Sequence, residues 1–395
     1  MRGIGAGQDG SAVHGLRGVL PSQFEDALAQ FHPGHRDTLQ FESSVSASRV
    51  AFDDTRFFKV ANQTAGLHLK TQALWLIRHR DTLKSMLPVV EHLQWAIDET
   101  LLITNRIKGS LLREALLVGD SQQAAATFGR ALEALQTRFY VLQAQSASAK
   151  MLPHILRRTV DRLVAHYFWS REGIQVPLYS ERFVCNGTEF GGSLASLRDL
   201  TLTIDSLENQ GGIAAVIHGD PHLGNIIASD EGPIFIDPRG GIEPFGDVFD
   251  IAYDIGKILQ DLRSLYGLCV DGHVVVVPTG PIGHFEVRCI NASALARYHR
   301  EFLRTLSWIS ELSSDLADRT LLTRSLVYEA LLLSGVVPFH HGNPRMGTAV
   351  TVLGALALDA AAKCLRHGAI TETEVMPYVV SPAHALYRAF DRPQT

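Results

Sequence analysis

Lysine, cysteine and long apolar runs are all scarce in this chain of 395 residues. Charged residues make up 19%, below the ~25% usual for soluble proteins. The net charge of −5 is spread without long runs of either sign. No basic stripe is available to track a phosphate backbone, so nucleic acid is not an expected partner. The four cysteines, Cys185, Cys269, Cys289 and Cys364, form no CxxC pair. Their spacing argues against a disulfide framework and a zinc site, and makes a reducing cytoplasm the simplest compartment. The opening MRGIGAGQDGSAVHGLRG has no apolar core, so no secretory signal is expected. The most apolar run, Met346 to Leu358, is too short to cross a bilayer, and no membrane partner is expected.

Against these absences stands an apolar content of 46%, enough for a sizeable core and too high for a disordered chain. At roughly 150 residues per domain, the length fits two or three domains or one large two-lobed one. Residues 1–22 are glycine-rich and read as a flexible tail. Gly5-Ala-Gly7-Gln-Asp-Gly10 within them fits GxGxxG, but no strand can precede it, so a dinucleotide site is not expected.

β-Branched and aromatic residues place strands at Thr38–Phe41, Arg49–Phe52 and Phe57–Ala61, with a turn at Asp53-Asp54. A helix is expected over Gly66–His79, then strands around His92–Ile97 and Leu101–Ile107. From residue 111 the pattern turns helical. Phe128, Leu132, Leu135 and Phe139 form one apolar stripe, and Leu156, Val160, Leu163 and Tyr167 another; both read as core faces. Residues 298–336 and 348–366 are helical in pattern as well.

One segment carries chemistry. The apolar strand Ile213–Ile217 runs into a loop holding His218, Asp220 and Asn225. A short strand, Ile226–Ala228, turns at Ser229–Pro233 and returns as Ile234–Ile236, ending at Asp237. This hairpin folds Asp237 back toward Asp220 and Asn225. Two carboxylates and an amide at one edge suit Mg²⁺, which takes a few protein oxygens and fills its shell with phosphates and water. A spare carboxylate can orient a hydroxyl and accept its proton.

HGDxxxxN followed by IDP resembles the catalytic loop and metal-binding segment of the aminoglycoside phosphotransferase and choline kinase group. The corresponding protein-kinase pieces are HRDxxxxN and DFG. Cys185-Asn-Gly-Thr, Asp237-Pro-Arg-Gly and Val337-Pro-Phe-His-His341 are similar to a bacterial subgroup, and the resemblance spans roughly residues 38–365. It implies an α+β, bilobal protein-kinase-like fold. A small antiparallel β-rich lobe over 23–110 would bind nucleotide, and a large, mostly helical lobe over 111–395 would hold the catalytic loop and acceptor site. It further implies transfer of the γ-phosphate of ATP or GTP to a hydroxylated small molecule, such as an aminoglycoside-like antibiotic, a sugar or a nucleoside.

By that resemblance Asp220 is the catalytic base, Asn225 a catalytic-loop residue, and Asn225 and Asp237 the Mg²⁺ ligands. His218 supports the loop. Gly246-Asp247-Val-Phe-Asp250-Ile-Ala is similar to the helix-opening GDxxxDLA, which implies that Asp247 braces the catalytic loop. Lys59, one of only seven lysines, matches the strand lysine that touches the nucleotide phosphates. Ser44 and Ser46 fall in the phosphate-covering loop, and Thr104 and Arg106 in the hinge.

Two departures stand out. The segment Glu42–Ser48 has no glycine, although close backbone approach to phosphate favours it. No acidic residue lies between Lys59 and Asp81 to pair with the lysine, and Gln72 is the nearest polar substitute. These leave a second reading open, a catalytically silent nucleotide-sensing or partner-binding relative. Asp247 follows Asp237 too closely for a peptide-docking activation segment, which favours a small-molecule acceptor. Glu243 and Glu329 are candidates to meet acceptor amines, and Arg239 to meet an anionic or polyhydroxy acceptor. His222, His340 and His341 read as structural, since no metal-ligand spacing includes them.

Overall fold

A computed structural model describes residues 40–42, 48–95, 99–118, 121–148, 150–169, 176–208, 211–340, 342–369 and 371–379. The glycine-rich tail with its GxGxxG, Ser44 and Ser46, and His341 lie outside the described residues. The chain divides into two compact units, one holding residues up to 73 together with 89–106, the other residues 74–88 and 107 onward.

The first unit is an antiparallel sheet of β1 (Gln40–Glu42), β2 (Ser48–Phe52), β3 (Arg56–Asn62), β4 (Val90–Trp95) and β5 (Glu99–Asn105), in the order β1-β2-β3-β5-β4. The expected Asp53-Asp54 turn joins β2 to β3. Asp53 Oδ1 accepts the backbone N–H groups of Thr55 (2.6 Å) and Arg56 (2.7 Å), so the side chain itself closes the turn. Helix α1 (Gln63–Leu83) begins against this sheet, where Leu69 and Ala73 pack on Ala61 and Leu102. A Cβ on Gly66 would lie 2.9 Å from the Ala61 carbonyl oxygen, which explains glycine at that close approach.

The second unit is mostly helical, and the two together make the α+β architecture expected. Its helices include α2 (Ser121–Ala134), α3 (Met151–Trp169), α4 (Ile251–Leu262), α5 (Ala292–Asp315), α6 (Leu321–Ser334) and α7 (Pro344–Arg366). Phe128, Leu132, Leu135 and Phe139 are buried, as the helical spacing predicts. The apolar segments 321–340 and 344–366 are long enough to cross a membrane, but 89% of each apolar window is buried within the unit. They are core helices. Arg324 on α6 reaches Asp250 and Asp318 at 2.8–2.9 Å, a buried triad linking the start of α4 to the turn before α6.

Two small sheets carry the chemistry-bearing segment. Strand β6 (Ile213–Val216) pairs with β9 (Val248–Asp250), while β7 (Ile226–Ser229) pairs with β8 (Gly232–Phe235) in register Ile226 to Phe235.

Candidate active site

The loop between β6 and β7 is built by its own backbone and by helix α4 beneath it. Every residue of α4 is buried, so each polar side chain on it needs a partner. Asp254 Oδ2 accepts the N–H of His218 at 2.9 Å, and its Oδ1 accepts that of Gly219 at 2.7 Å. Burial pushes the Asp254 carboxyl up to about 7, against the two N–H donors that favour its charge. One turn on, Lys257 Nζ lies 3.0 Å from Asp220 Oδ1. Asp261 then accepts the N–H of Leu223 at 2.7 Å. Residues 254, 257 and 261 thus form one polar stripe that holds the loop along its length.

This corrects the expectation for Asp247. Its carboxylate pairs with Arg78 and, at 2.9 Å, with His79 Nε2, both on the second half of α1. Only its carbonyl serves the strand before the loop, accepting the N–H of Ile217 at 3.2 Å. The loop's carboxylate brace is Asp254, seven residues later. A polar stripe at spacings of three and four on an apolar helix was present in the sequence, as the signal for Asp254, Lys257 and Asp261.

His218 is fully buried among Trp75, Phe139 and Phe235. Burial lowers its pKa to about 4, so the ring is neutral. Its Nδ1 accepts the N–H of Asp220 at 3.3 Å. Gly219 follows with φ +83, and a Cβ there would lie 2.6 Å from Arg239 Cβ. The loop therefore needs glycine for both backbone angle and clearance.

Asn225 donates from Nδ2 to the Asp220 carbonyl at 3.0 Å, which turns its amide oxygen to the other side. Its own carbonyl accepts the N–H of Ile236 at 2.9 Å. The hairpin thus delivers Asp237 one residue beyond the partner of Asn225. Asp237 takes a left-handed backbone, φ +56, a conformation costing of order 1–2 kcal/mol that Asp tolerates better than most. An amide oxygen and a carboxylate at adjacent register positions form a hard-oxygen donor set, which fits Mg²⁺.

Asp220 is held from two sides, by Lys257 and by Arg239 Nη2 at 3.4 Å from Oδ2. Burial alone would raise its pKa. The Lys257 and Arg239 charges more than offset this and hold the carboxyl well below its usual range. Lys257 is 3% exposed and Arg239 33%.

The other sequence candidates fall elsewhere. Glu329 is not open to an acceptor, since it is fully buried and bonded to Arg263 at 2.8 Å and to Ser264. Glu243 is exposed. His222 caps its turn, accepting the N–H of Gly224 at 3.1 Å, and His340 Nε2 meets the Tyr266 hydroxyl at 3.1 Å. In the first unit, Lys59 sits on β3 opposite Val50 and Leu102, and Gln72 is buried on α1. Thr104 is buried on β5. Arg106 donates its backbone N–H to the Thr55 carbonyl and its Nη1 to the Asp53 carbonyl, its guanidinium 4.3 Å above Phe52.

No protein-family model matches the chain, and no curated protein does. Solved structures do. A thermostable mutant of aminoglycoside phosphotransferase APH(4)-Ia, in ternary complex with AMP-PNP and hygromycin B, is 14% identical with TM-score 0.52. The match covers 87% of this chain and 98% of that one. APH(3'')-Id from Streptomyces rimosus ATCC10970 is 13% identical with TM-score 0.50, covering 81% of this chain and 99% of its own. This chain therefore has the protein-kinase-like fold of the aminoglycoside phosphotransferases.

Proposed function

We propose that this protein is a small-molecule kinase, transferring the γ-phosphate of ATP or GTP to a hydroxyl group. The observation that carries the reading is the Asp220, Asn225 and Asp237 arrangement. The Asn225 amide is tied to the Asp220 backbone, and the β7–β8 register brings Asp237 beside Asn225. Crystal structures of fold neighbours with ADP and hygromycin B, or with AMP-PNP and hygromycin B, support a nucleotide donor and a hydroxylated acceptor.

In this reading Asp220 receives the acceptor hydroxyl as a hydrogen-bond donor and aims its oxygen at the γ-phosphorus. The new O–P bond forms as the bond to the β-phosphate oxygen breaks, the nucleoside diphosphate leaves, and the hydroxyl proton passes to Asp220. A carboxylate held by two cations is a weak base at rest. It suits a loose transition state, in which the hydroxyl proton becomes acidic only as the bond to phosphorus forms. Asn225 Oδ1 and the Asp237 carboxylate would hold a magnesium ion, which when bound neutralises phosphate charge. Lys59 would meet the nucleotide phosphates, with Thr104, Arg106 and the Ser44–Ser46 segment completing the nucleotide contacts. A chain with four free cysteines suits work in the reducing cytoplasm.

The test is Asp220→Ala. Magnesium-dependent phosphoryl transfer should fall by about 10²–10⁴-fold while nucleotide affinity stays near wild type. Equal turnover in that variant would remove Asp220 from the chemistry.

A further inference from the structure

Two arginines on α3 stand near the Asp220 cluster without a carboxylate partner among the described residues. Arg158 and Arg162 lie one turn apart on α3, both half-buried. Arg158 Nη2 reaches the Tyr253 hydroxyl at 3.2 Å, and Tyr253 lies one turn before Lys257 on α4. Lys257 and Arg239 then close on Asp220. Arg162 Nη1 bonds to the Gly335 carbonyl at 3.3 Å, with its guanidinium 5.3 Å from the Phe339 ring. Among the described residues, no carboxylate lies within ion-pair distance of Arg158 or Arg162. Of these four cations, Lys257 and Arg239 share Asp220, and the two arginines of α3 have no carboxylate of their own.

These charges are close enough to act on the groups around them. Burial and then the charges of Arg158 and Arg239 lower the Arg162 pKa to about 10. Burial followed by Arg158 lowers His154, one turn before Arg158 on the same face. The Tyr253 hydroxyl is lowered although burial alone would raise it, because Arg158, Arg239 and Lys257 outweigh that effect. Like charges one turn apart destabilise a helix. Two such arginines, half-buried and without a carboxylate partner among the described residues, suit an anion.

We propose that Arg158, Arg162 and Arg239 form an oxyanion subsite next to Asp220, and that the acceptor is a hydroxyl compound bearing a phosphate or carboxylate group. The inference rests on the phosphotransferase reading for the word acceptor. It assigns the subsite's occupant to a chemistry opposite to that of a polyamine antibiotic. Of the buried carboxylates nearby, Glu329 pairs with Arg263, Asp250 and Asp318 share Arg324, and burial pushes Asp254 up to about 7. The same oxyanion could also come from the nucleotide's terminal phosphate, so the experiment separates the two sources.

The experiment is calorimetric titration of the full chain with inorganic phosphate, glucose 1-phosphate, glucose, kanamycin and Mg·AMP-PNP. It is repeated on Arg158→Gln and Arg162→Gln. The expected result is millimolar or tighter binding of inorganic phosphate and glucose 1-phosphate, weakened about ten-fold or more in each variant. Mg·AMP-PNP affinity should be unchanged, and the thermal midpoints of the variants equal to or above wild type, since each removes an uncompensated charge. Loss of AMP-PNP affinity with glucose 1-phosphate unaffected would give the arginines to the nucleotide and overturn the assignment. Binding of kanamycin in preference to the phosphates, or no phosphate binding in the millimolar range, would also overturn it. A lowered midpoint with unchanged phosphate affinity would make the arginines scaffold. If wild type binds phosphates through these arginines yet never binds nucleotide, the subsite stands and the kinase reading falls.

Discussion

Asp220, Asn225 and Asp237 stood out in the sequence because they fall in the short polar breaks between apolar strands and match HGDxxxxN followed by IDP, the resemblance that supplied their expected roles. Lys257 was signalled only as part of the polar stripe on α4, and Arg158 not at all, since a single cation in a helix carries no local sign of what it faces. His218 gives a residue-scale prediction. Its ring is buried and neutral with a pKa of about 4, against about 6.5 in an unfolded chain. Between those values the unfolded state binds the extra proton, so stability falls as pH drops from 6.5 toward 4 and the loss is complete below that. The size is about 2–3 kcal/mol. Urea unfolding at pH 7 and pH 4.5 should show this difference, and His218→Phe should remove most of it. An identical pH slope in the variant would mean the ring is solvated.

At the scale of elements, the strands of the first unit were placed to within a few residues by β-branched and aromatic content and turn chemistry. The extent of α1 was not, because the helix leaves the first unit partway, its residues 74–83 belonging to the second. The reading of α4 stopped at its opening aspartates, Asp247 and Asp250. The side chains that hold the catalytic loop lie one to three turns further, and only the three-dimensional register shows which aspartate meets which N–H. The loop also depends on Gly219. Gly219→Ala adds a left-handed alanine, costing about 1–2 kcal/mol, and a methyl 2.6 Å from Arg239 Cβ. A total loss of about 2–4 kcal/mol is expected in denaturant unfolding, with Arg239 displaced from Asp220. A variant as stable as wild type would show that the loop relaxes freely.

For the whole molecule, composition pointed to a large core and the structure fills it with α6 and α7. What composition could not reveal is the buried charge within that core. Arg324 is 3% exposed and satisfies Asp250 and Asp318 together. Arg324→Met would leave two buried carboxylates unpaired and should cost about 3–5 kcal/mol, read as a lower urea midpoint with an unchanged slope. A change below 1 kcal/mol, on the order of a surface pair, would contradict the buried triad. The proposed magnesium–nucleotide site rests on Asn225 and Asp237. Calorimetric titration of ATP and GTP, with and without Mg²⁺, on wild type and Asp237→Ala tests it most directly. Magnesium-dependent binding of at least one nucleotide, lost in Asp237→Ala, is the predicted result. Binding of neither nucleotide by the folded wild-type protein, or binding indifferent to both magnesium and Asp237, would contradict it.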